Sequence, residues 1–173
     1  MPVRRRAASP SSELVLIVDD EREARQLYVE SLTGFGFRVE LAADTLDALS
    51  RSLFHPAIIC VHVPPGSPDR LEFCRRVRQN PRTRQIPIVA IIAGHSPGET
   101  ALAREAGVDS MLTMPCLPES LGAEIRRVLS RTRAVKRLSA VPTPATAARL
   151  EALRARVTRF RTFLKARLPD RKG

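Results

Sequence analysis

The sequence has few aromatic residues and no long apolar segment. Its 173 residues include no Trp, one Tyr and six Phe, so a hydrophobic core has to be built mainly from aliphatic side chains. No run of eighteen apolar residues is present, and we therefore predict no membrane-spanning helix. The N-terminal residues, MPVRRRAASPSSE, pass from basic directly to polar residues. We expect no secretory signal, because the apolar region of such a signal is missing.

Cysteine is scarce, and its spacing fits neither a metal site nor a redox motif. Cys60, Cys74 and Cys116 are scattered along the chain and form no CxxC or metal-type pattern. Two of them lie at predicted core positions, where a free cysteine behaves as a small hydrophobic residue. We therefore expect a reducing compartment, the cytoplasm.

Acidic residues are nearly missing from the C-terminal part of the chain. Residues 1–12 hold three Arg and no acid, and residues 13–124 hold 11 Arg against 16 acids. Residues 125–173 hold 15 Lys and Arg against two acids. The net charge of +11 is therefore concentrated at the C-terminal end, which favours an interaction function for that segment rather than a property of the fold.

Short apolar runs alternate with amphipathic segments five times between residues 13 and 135. Short buried strands that alternate with helices predict an α/β domain, with a parallel sheet covered by helices on both faces. The predicted strands are Leu14–Val18, Phe37–Ala42, Ala57–Val63, Pro87–Ala93 and Asp109–Thr113.

The rest of the chain predicts an arm, a linker, one more helix and a tail. Residues 1–12 are rich in Arg, Ser and Pro, which predicts a disordered basic arm. Residues 136–145 contain two prolines and predict a linker, and residues 146–168 predict a basic amphipathic helix before a tail at 169–173. The apolar residues of that helix are spaced by three and four, as in a coiled-coil seam. They are Leu150, Leu153, Val157, Phe160 and Leu164.

The acidic pair Asp19-Asp20 and the segment PAIICVHVPPGSPDRLE, residues 56–72, resemble the receiver domain of two-component response regulators. A typical receiver reads PDLILLDVMMPGMDGLE over the second segment. The resemblance implies a flavodoxin-like (βα)5 fold with strand order 2-1-3-4-5, here followed by an extra C-terminal helix. It also implies transfer of a phosphoryl group from a partner kinase to a receiver aspartate, with Mg²⁺ held by that aspartate and the acidic pair.

Position by position, the acidic pair matches this pattern and the other reactive positions do not. The resemblance therefore implies an atypical, degenerate pseudo-receiver. The departures are His62 for the phosphoacceptor aspartate, Ile92 for Thr or Ser, Met111 for an aromatic residue and Met114 for Lys.

Three interpretations of His62 stay open. It is a phosphohistidine acceptor, a metal ligand together with Asp19 and Asp20, or a side chain that hydrogen-bonds a neighbouring acid. Two carboxylates without the third predict weak Mg²⁺ binding at most, so we expect no cofactor. Because GxGxxG, P-loop and HExxH motifs are also missing, we expect a protein that is not an enzyme.

The partner of the basic helix is also open, between protein, nucleic acid and an anionic membrane surface. Our leading hypothesis is a bacterial, phosphorylation-independent receiver that acts as a protein-binding module in phosphorelay signal transduction. It would bind through the surface of its fourth helix, fifth strand and fifth helix, and self-associate or dock through residues 146–168. The alternative is a nucleic-acid-associated regulator that binds through the same basic helix.

Overall fold

The structure is a computed structural model that describes residues 13–94, 96–140 and 144–167. The predicted arm (1–12) and tail (169–173) lie outside these residues. The described chain contains five strands in one parallel sheet, in the order β2-β1-β3-β4-β5, which confirms the predicted fold. The strands are β1 Leu14–Val18, β2 Arg38–Ala42, β3 Ile58–Val63, β4 Ile88–Ile92 and β5 Ser110–Thr113.

Five helices connect and follow the strands, and four of them begin at a residue that favours a helix start. At the second helix, the Asp44 carboxylate accepts a hydrogen bond from the Asp47 N–H at 2.8 Å, as expected of an N-cap. The three later helices begin with a proline in the first turn, where its missing N–H costs no hydrogen bond. The helices are α1 Arg22–Gly34, α2 Thr45–Ser52, α3 Pro68–Gln79, α4 Pro97–Glu105 and α5 Pro118–Ala140.

Alternating side chains of the strands build two cores, one on each face of the sheet. Leu16 and Val18 of β1 pack in a cluster with buried residues of α2, α3 and α4. Val15 and Ile17 pack on the opposite face with buried residues of α1 and α5. Each fully buried aliphatic side chain contributes about 1.5–3 kcal/mol to folding, so the central strands are rigid supports for the residues at their ends.

Arg78, near the end of α3, forms hydrogen bonds with several backbone segments at the amino end of β4 and β5. Its Nε donates to the Gly107 carbonyl at 2.9 Å, and its Nη1 donates to the carbonyls of Ile86 at 2.6 Å and Arg84 at 2.9 Å. Its Nη2 pairs with Asp109 at 2.6 Å. Gly107 has a φ of +90°, and a Cβ at that position would lie 2.5 Å from the Arg78 side chain. A glycine is therefore required there for both reasons.

The fifth helix is longer than the sequence predicted. It continues to Ala140, so residues 136–140, predicted as linker, are helical instead. The prediction was wrong because the prolines that end a helix lie further on, and Arg133–Ala140 contains neither glycine nor proline. A helix continues through such residues at little cost in free energy.

A sixth helix, α6, spans Pro144–Arg167. It starts two residues earlier than predicted, because Pro144 is the first residue of the helix rather than part of a linker. The chain divides into two compact units, one ending at Thr132 and one beginning at Arg133. None of the described helices is both long and apolar enough to cross a membrane.

The apolar seam predicted for α6 is only partly described. Leu153, Val157 and Phe160 have exposed fractions of 49%, 66% and 63%. The side chains of Leu150 and Leu164 lie outside the described part of the structure. The seam therefore remains a prediction, supported by three apolar side chains that are exposed on one helix.

Candidate functional site

The acidic pair and His62 meet at the carboxyl end of the sheet. Val18 at the end of β1 pairs with Val61 of the adjacent strand β3. The residues that follow them, Asp19 and His62, are therefore next to each other. One potential ligand atom from each of Asp19, Asp20 and His62 lies within 4.8 Å of the others. The parallel register therefore brings the three predicted site residues together, as expected for side chains at the carboxyl ends of adjacent strands.

His62 and Asp19 form a partly buried hydrogen-bonded pair. His62 Nδ1 lies 3.3 Å from Asp19 Oδ1, and Asp19 is only 3% exposed. The same carboxylate oxygen accepts the backbone N–H of Glu21 at 2.9 Å. An ionised carboxylate is only an acceptor, so His62 Nδ1 carries the proton and donates it.

The electrostatics of this pair favour the charged form of both groups. The hydrogen bond to Asp19 raises the pKa of His62 above its ordinary value, although burial and the charge of Arg70 oppose the change. Burial alone would raise the pKa of Asp19, but hydrogen bonds from His62 and Glu21 together with neighbouring positive charges lower it. The pair therefore shifts the pKa of each group in the direction of its charged form.

Arg70, in the first turn of α3, is a site residue that the sequence patterns missed. It is only 5% exposed. Its Nη2 lies 3.4 Å from Asp20 Oδ1 and its Nε lies 3.7 Å from Asp69 Oδ2. The available signal was the sequence DRLE, which stands here against DGLE in a typical receiver. That signal is weak because an arginine is usually exposed.

The remaining predicted site residues lie at the ends of β4 and β5. Ile92 is 4% exposed and belongs to a hydrophobic core, and Met114 donates its backbone N–H to the Ile92 carbonyl at 2.8 Å. The Met114 side chain is 37% exposed. The two positions at which a typical receiver has a hydroxyl-bearing residue and a lysine therefore hold apolar side chains here.

Met111 lies further inside β5, where it pairs with Ala90 of β4. It packs against the same core as Ile92. A cavity of about 350 Å³ remains beside it, bordered by Thr100 and Arg104 of α4. Met111 therefore borders an open cleft between α4 and β5.

Residues 94–98, GHSPG, match the G-x-S-x-G spacing of a hydrolase nucleophile turn. Ser96 has φ −69° and ψ 135°, which is ordinary extended backbone rather than the strained turn of such a nucleophile. Its Oγ accepts the Glu99 N–H at 3.1 Å and donates to the Glu99 carboxylate at 2.9 Å. Ser96 is therefore the N-cap of α4, and the motif match is a helix start.

Comparisons with known proteins agree with the five-stranded fold described above, although no family model matches the sequence. Response regulator MprA of Mycobacterium avium (strain 104) is 34% identical over 120 residues, which is 69% of this chain and 52% of MprA. CheY4, a chemotaxis protein of Vibrio cholerae, has a TM-score of 0.63 at 28% identity, covering 68% of this chain and 99% of its own. A solved chain from Chloroflexus aurantiacus J-10-fl, assigned to the response regulators, is 30% identical with a TM-score of 0.63. That match covers 69% of this chain and 99% of the other. The chain belongs to the response-regulator receiver family.

The receiver matches cover about two thirds of this chain. MprA of Mycobacterium leprae (strain TN) is 35% identical, and the alignment again covers 120 residues, or 69% of this chain. The chain spans about half the length of the curated relatives it matches, 52% for both MprA proteins. Family membership therefore rests on a match to part of this chain and to about half of those relatives.

The residues of this receiver do not fit the Mg²⁺ ion that the family implies. Mg²⁺ requires near-octahedral oxygen ligands and is commonly bound by one or two carboxylates with waters. Here the Asp19 oxygen nearest His62 already accepts two hydrogen bonds, and an Asp20 oxygen is paired with the guanidinium of Arg70. The acidic pair is therefore already in contact with His62 and with the guanidinium of Arg70, and His62 stands in place of the third carboxylate.

Proposed function

We propose that this protein is an atypical receiver that signals in a two-component system without being phosphorylated, as a protein-binding module rather than an enzyme. The observation that carries the proposal is the pairing of His62 with buried Asp19 at the position of the family's phosphoacceptor. A cytoplasmic location is part of the proposal, and it is supported by three free cysteines, of the kind that persist in a reducing compartment.

The chemistry of His62 argues against a phosphohistidine. A histidine attacks phosphorus through the lone pair of a neutral ring nitrogen. The hydrogen bond to Asp19 raises the pKa of His62 and so lowers the fraction of the neutral ring at a given pH. A phosphoryl group also needs nearby positive or hydrogen-bonding groups for its oxygens. Ile92 and Met114 supply neither.

Incubation with acetyl phosphate and Mg²⁺, followed by intact mass spectrometry, tests this proposal directly. We expect the mass of the wild-type protein not to increase by that of one phosphoryl group. His62, Met114 and Ile92 stand where a typical receiver has its aspartate nucleophile, its lysine and its hydroxyl group. His62→Gln serves as the matched control for the phosphohistidine alternative. An adduct on the wild type that is absent from His62→Gln would establish phosphorylation at His62 and overturn the proposal, as would an adduct mapped to an aspartate.

The surface proposed for the protein partner is formed by α4, β5 and α5. Leu102 on α4 is 47% exposed, and Leu117, just before α5, is 63% exposed. Exposed apolar side chains at a surface of this kind are typical of contact positions in protein interfaces. Self-association or partner docking through the apolar residues of α6 is the second part of the proposal, supported by the exposure of Leu153, Val157 and Phe160.

The alternative function, a nucleic-acid-associated regulator, is favoured by the charge of α6. Its arginines at 149, 154, 156, 159 and 161 are all exposed, and Glu151 is the sole acid of the helix. Exposed cations on one helix bind phosphates without reading sequence, and each phosphate contact changes the slope of log K against log salt by about −0.9.

Fluorescence anisotropy with a generic DNA duplex at increasing salt tests this alternative. For a DNA-binding function, replacing Arg154 and Arg156 with Gln is expected to make the salt slope shallower by about 1.8. Arg82→Gln, on the acidic receiver domain, is the control and is expected to leave the slope unchanged. Failure of the wild type to bind DNA even at low salt would eliminate the alternative.

A further inference from the structure

We propose that Arg70 is a built-in replacement for the divalent cation of the receiver site. Its guanidinium holds the acidic residues together, and its removal would create a binding site for a divalent metal ion. The inference rests on the proposed function. A site that does not receive a phosphoryl group has no need of a divalent ion, so a charged side chain can take the place of that ion. It concerns a residue at which a typical receiver has glycine and therefore no side chain.

The first argument is the charge around the guanidinium. Three carboxylates lie at this end of the sheet, those of Asp19, Asp20 and Asp69. Arg70 pairs with Asp20 and Asp69. Its guanidinium therefore places a positive charge beside two of these carboxylates, at the edge of the sheet where a typical receiver binds its divalent ion.

The second argument is that the position is otherwise unfavourable for an arginine. Arg70 is the third residue of α3, and the positive end of the helix dipole disfavours a cation in the first turn. Its Nη1 is buried and has no hydrogen-bond partner among the described residues. A guanidinium with an unpartnered nitrogen is better solvated in water, so attraction to the carboxylates is what holds Arg70 in this buried position.

The third argument is that Arg70 and a metal ion exclude each other. An ion bound by Asp20 would lie beside the guanidinium nitrogen that is 3.4 Å from the Asp20 oxygen. Like charges at such a separation repel each other. Water weakens this repulsion only in part, since the Arg70 side chain is 6% exposed although that of Asp20 is 63% exposed. Arg70 therefore has to leave before Asp19 and Asp20 can bind an ion together.

The test compares the wild type with Arg70→Gly, the residue of a typical receiver. Melting temperature is measured against MgCl₂ and MnCl₂, with NaCl controls at matched ionic strength, and Mn²⁺ affinity is measured by calorimetry. We expect the wild type to be insensitive to both metals. Arg70→Gly is expected to melt at a lower temperature without metal, to be restabilised by either ion, and to bind Mn²⁺ at least roughly tenfold more tightly than the wild type.

Three further variants separate this role from ordinary packing. Arg76→Gly places the same flexible residue in α3 at an exposed position, and it is expected to stay metal-insensitive. Arg70→Gln keeps the size of the side chain without its charge, so it provides the same readout if the glycine variant does not fold. Adding Asp20→Asn to either Arg70 variant is expected to abolish the gain in metal binding.

Two results would overturn the inference. One is a wild type that binds Mn²⁺ as tightly as Arg70→Gly and Arg70→Gln. The other is folded Arg70 variants that remain indifferent to both metals. Either result is independent of the acetyl phosphate experiment, which measures a covalent adduct, so failure of the inference and failure of the proposed function can be told apart.

Discussion

Replacing His62 with Asp, the family's phosphoacceptor, is expected to lower the free energy of unfolding at neutral pH by about 1–3 kcal/mol. The substitution removes the hydrogen bond to Asp19 and places a third carboxylate beside a buried one. Repulsion among the acids should raise a carboxyl pKa, so the loss should shrink as pH falls and that group takes up a proton. Urea denaturation at two pH values measures both effects.

The matched control is His62→Asn, which removes the ion pair without adding a negative charge. It is expected to be less destabilising than the aspartate at neutral pH. Adding Met114→Lys to the His62→Asp variant should recover part of the loss, because it restores the lysine that a typical receiver has at this position together with the acceptor aspartate. The same lysine should not stabilise the wild type, whose site already contains His62 and Arg70. If the Asp and Asn variants were equally stable, the added negative charge would not be what destabilises the site, and this explanation would be wrong.

Replacing Arg78 with Met is expected to cost about 2–4 kcal/mol of folding free energy. It removes the guanidinium donor of three carbonyls and the ion pair with Asp109, whose carboxylate keeps the Ile88 N–H as a donor. These groups belong to the α3–β4 and α4–β5 connections, where water replaces the guanidinium only in part. Methionine retains much of the side-chain volume, so the change reports chiefly on the hydrogen bonds and the ion pair with Asp109. Thermal and urea unfolding measure the loss.

Arg76→Met is the control for Arg78→Met. Arg76 lies on the same helix, its side chain is 55% exposed, and it pairs with Glu72 alone among the described side chains, at 3.3 Å. Exposed pairs of this kind contribute about 0–1 kcal/mol, so the control should be almost as stable as the wild type. If the two methionine variants were equally stable, the proposed role of Arg78 would be wrong.

The sheet and its order were predictable because each strand is a short apolar run followed by a helical pattern. The meeting of Asp19, Asp20 and His62 was predictable for the same reason, since parallel strands bring their carboxyl ends to one edge. Arg70 was not predictable from periodicity, because its burial depends on two carboxylates from different segments of the chain. The extent of α5 was missed because prolines at 142 and 144 mark where a helix stops without showing how far it continues before them.

The His62–Asp19 pair has a consequence for how such a receiver would be controlled. A phosphorylated receiver changes the populations of its conformations when a kinase acts on it. A chain held in one charge arrangement by its own side chains has no covalent signal of that kind. Under the proposed function, the fraction of partner bound depends on mass action, through the amount of this protein and its affinity. Its synthesis and degradation would then set the strength of its output.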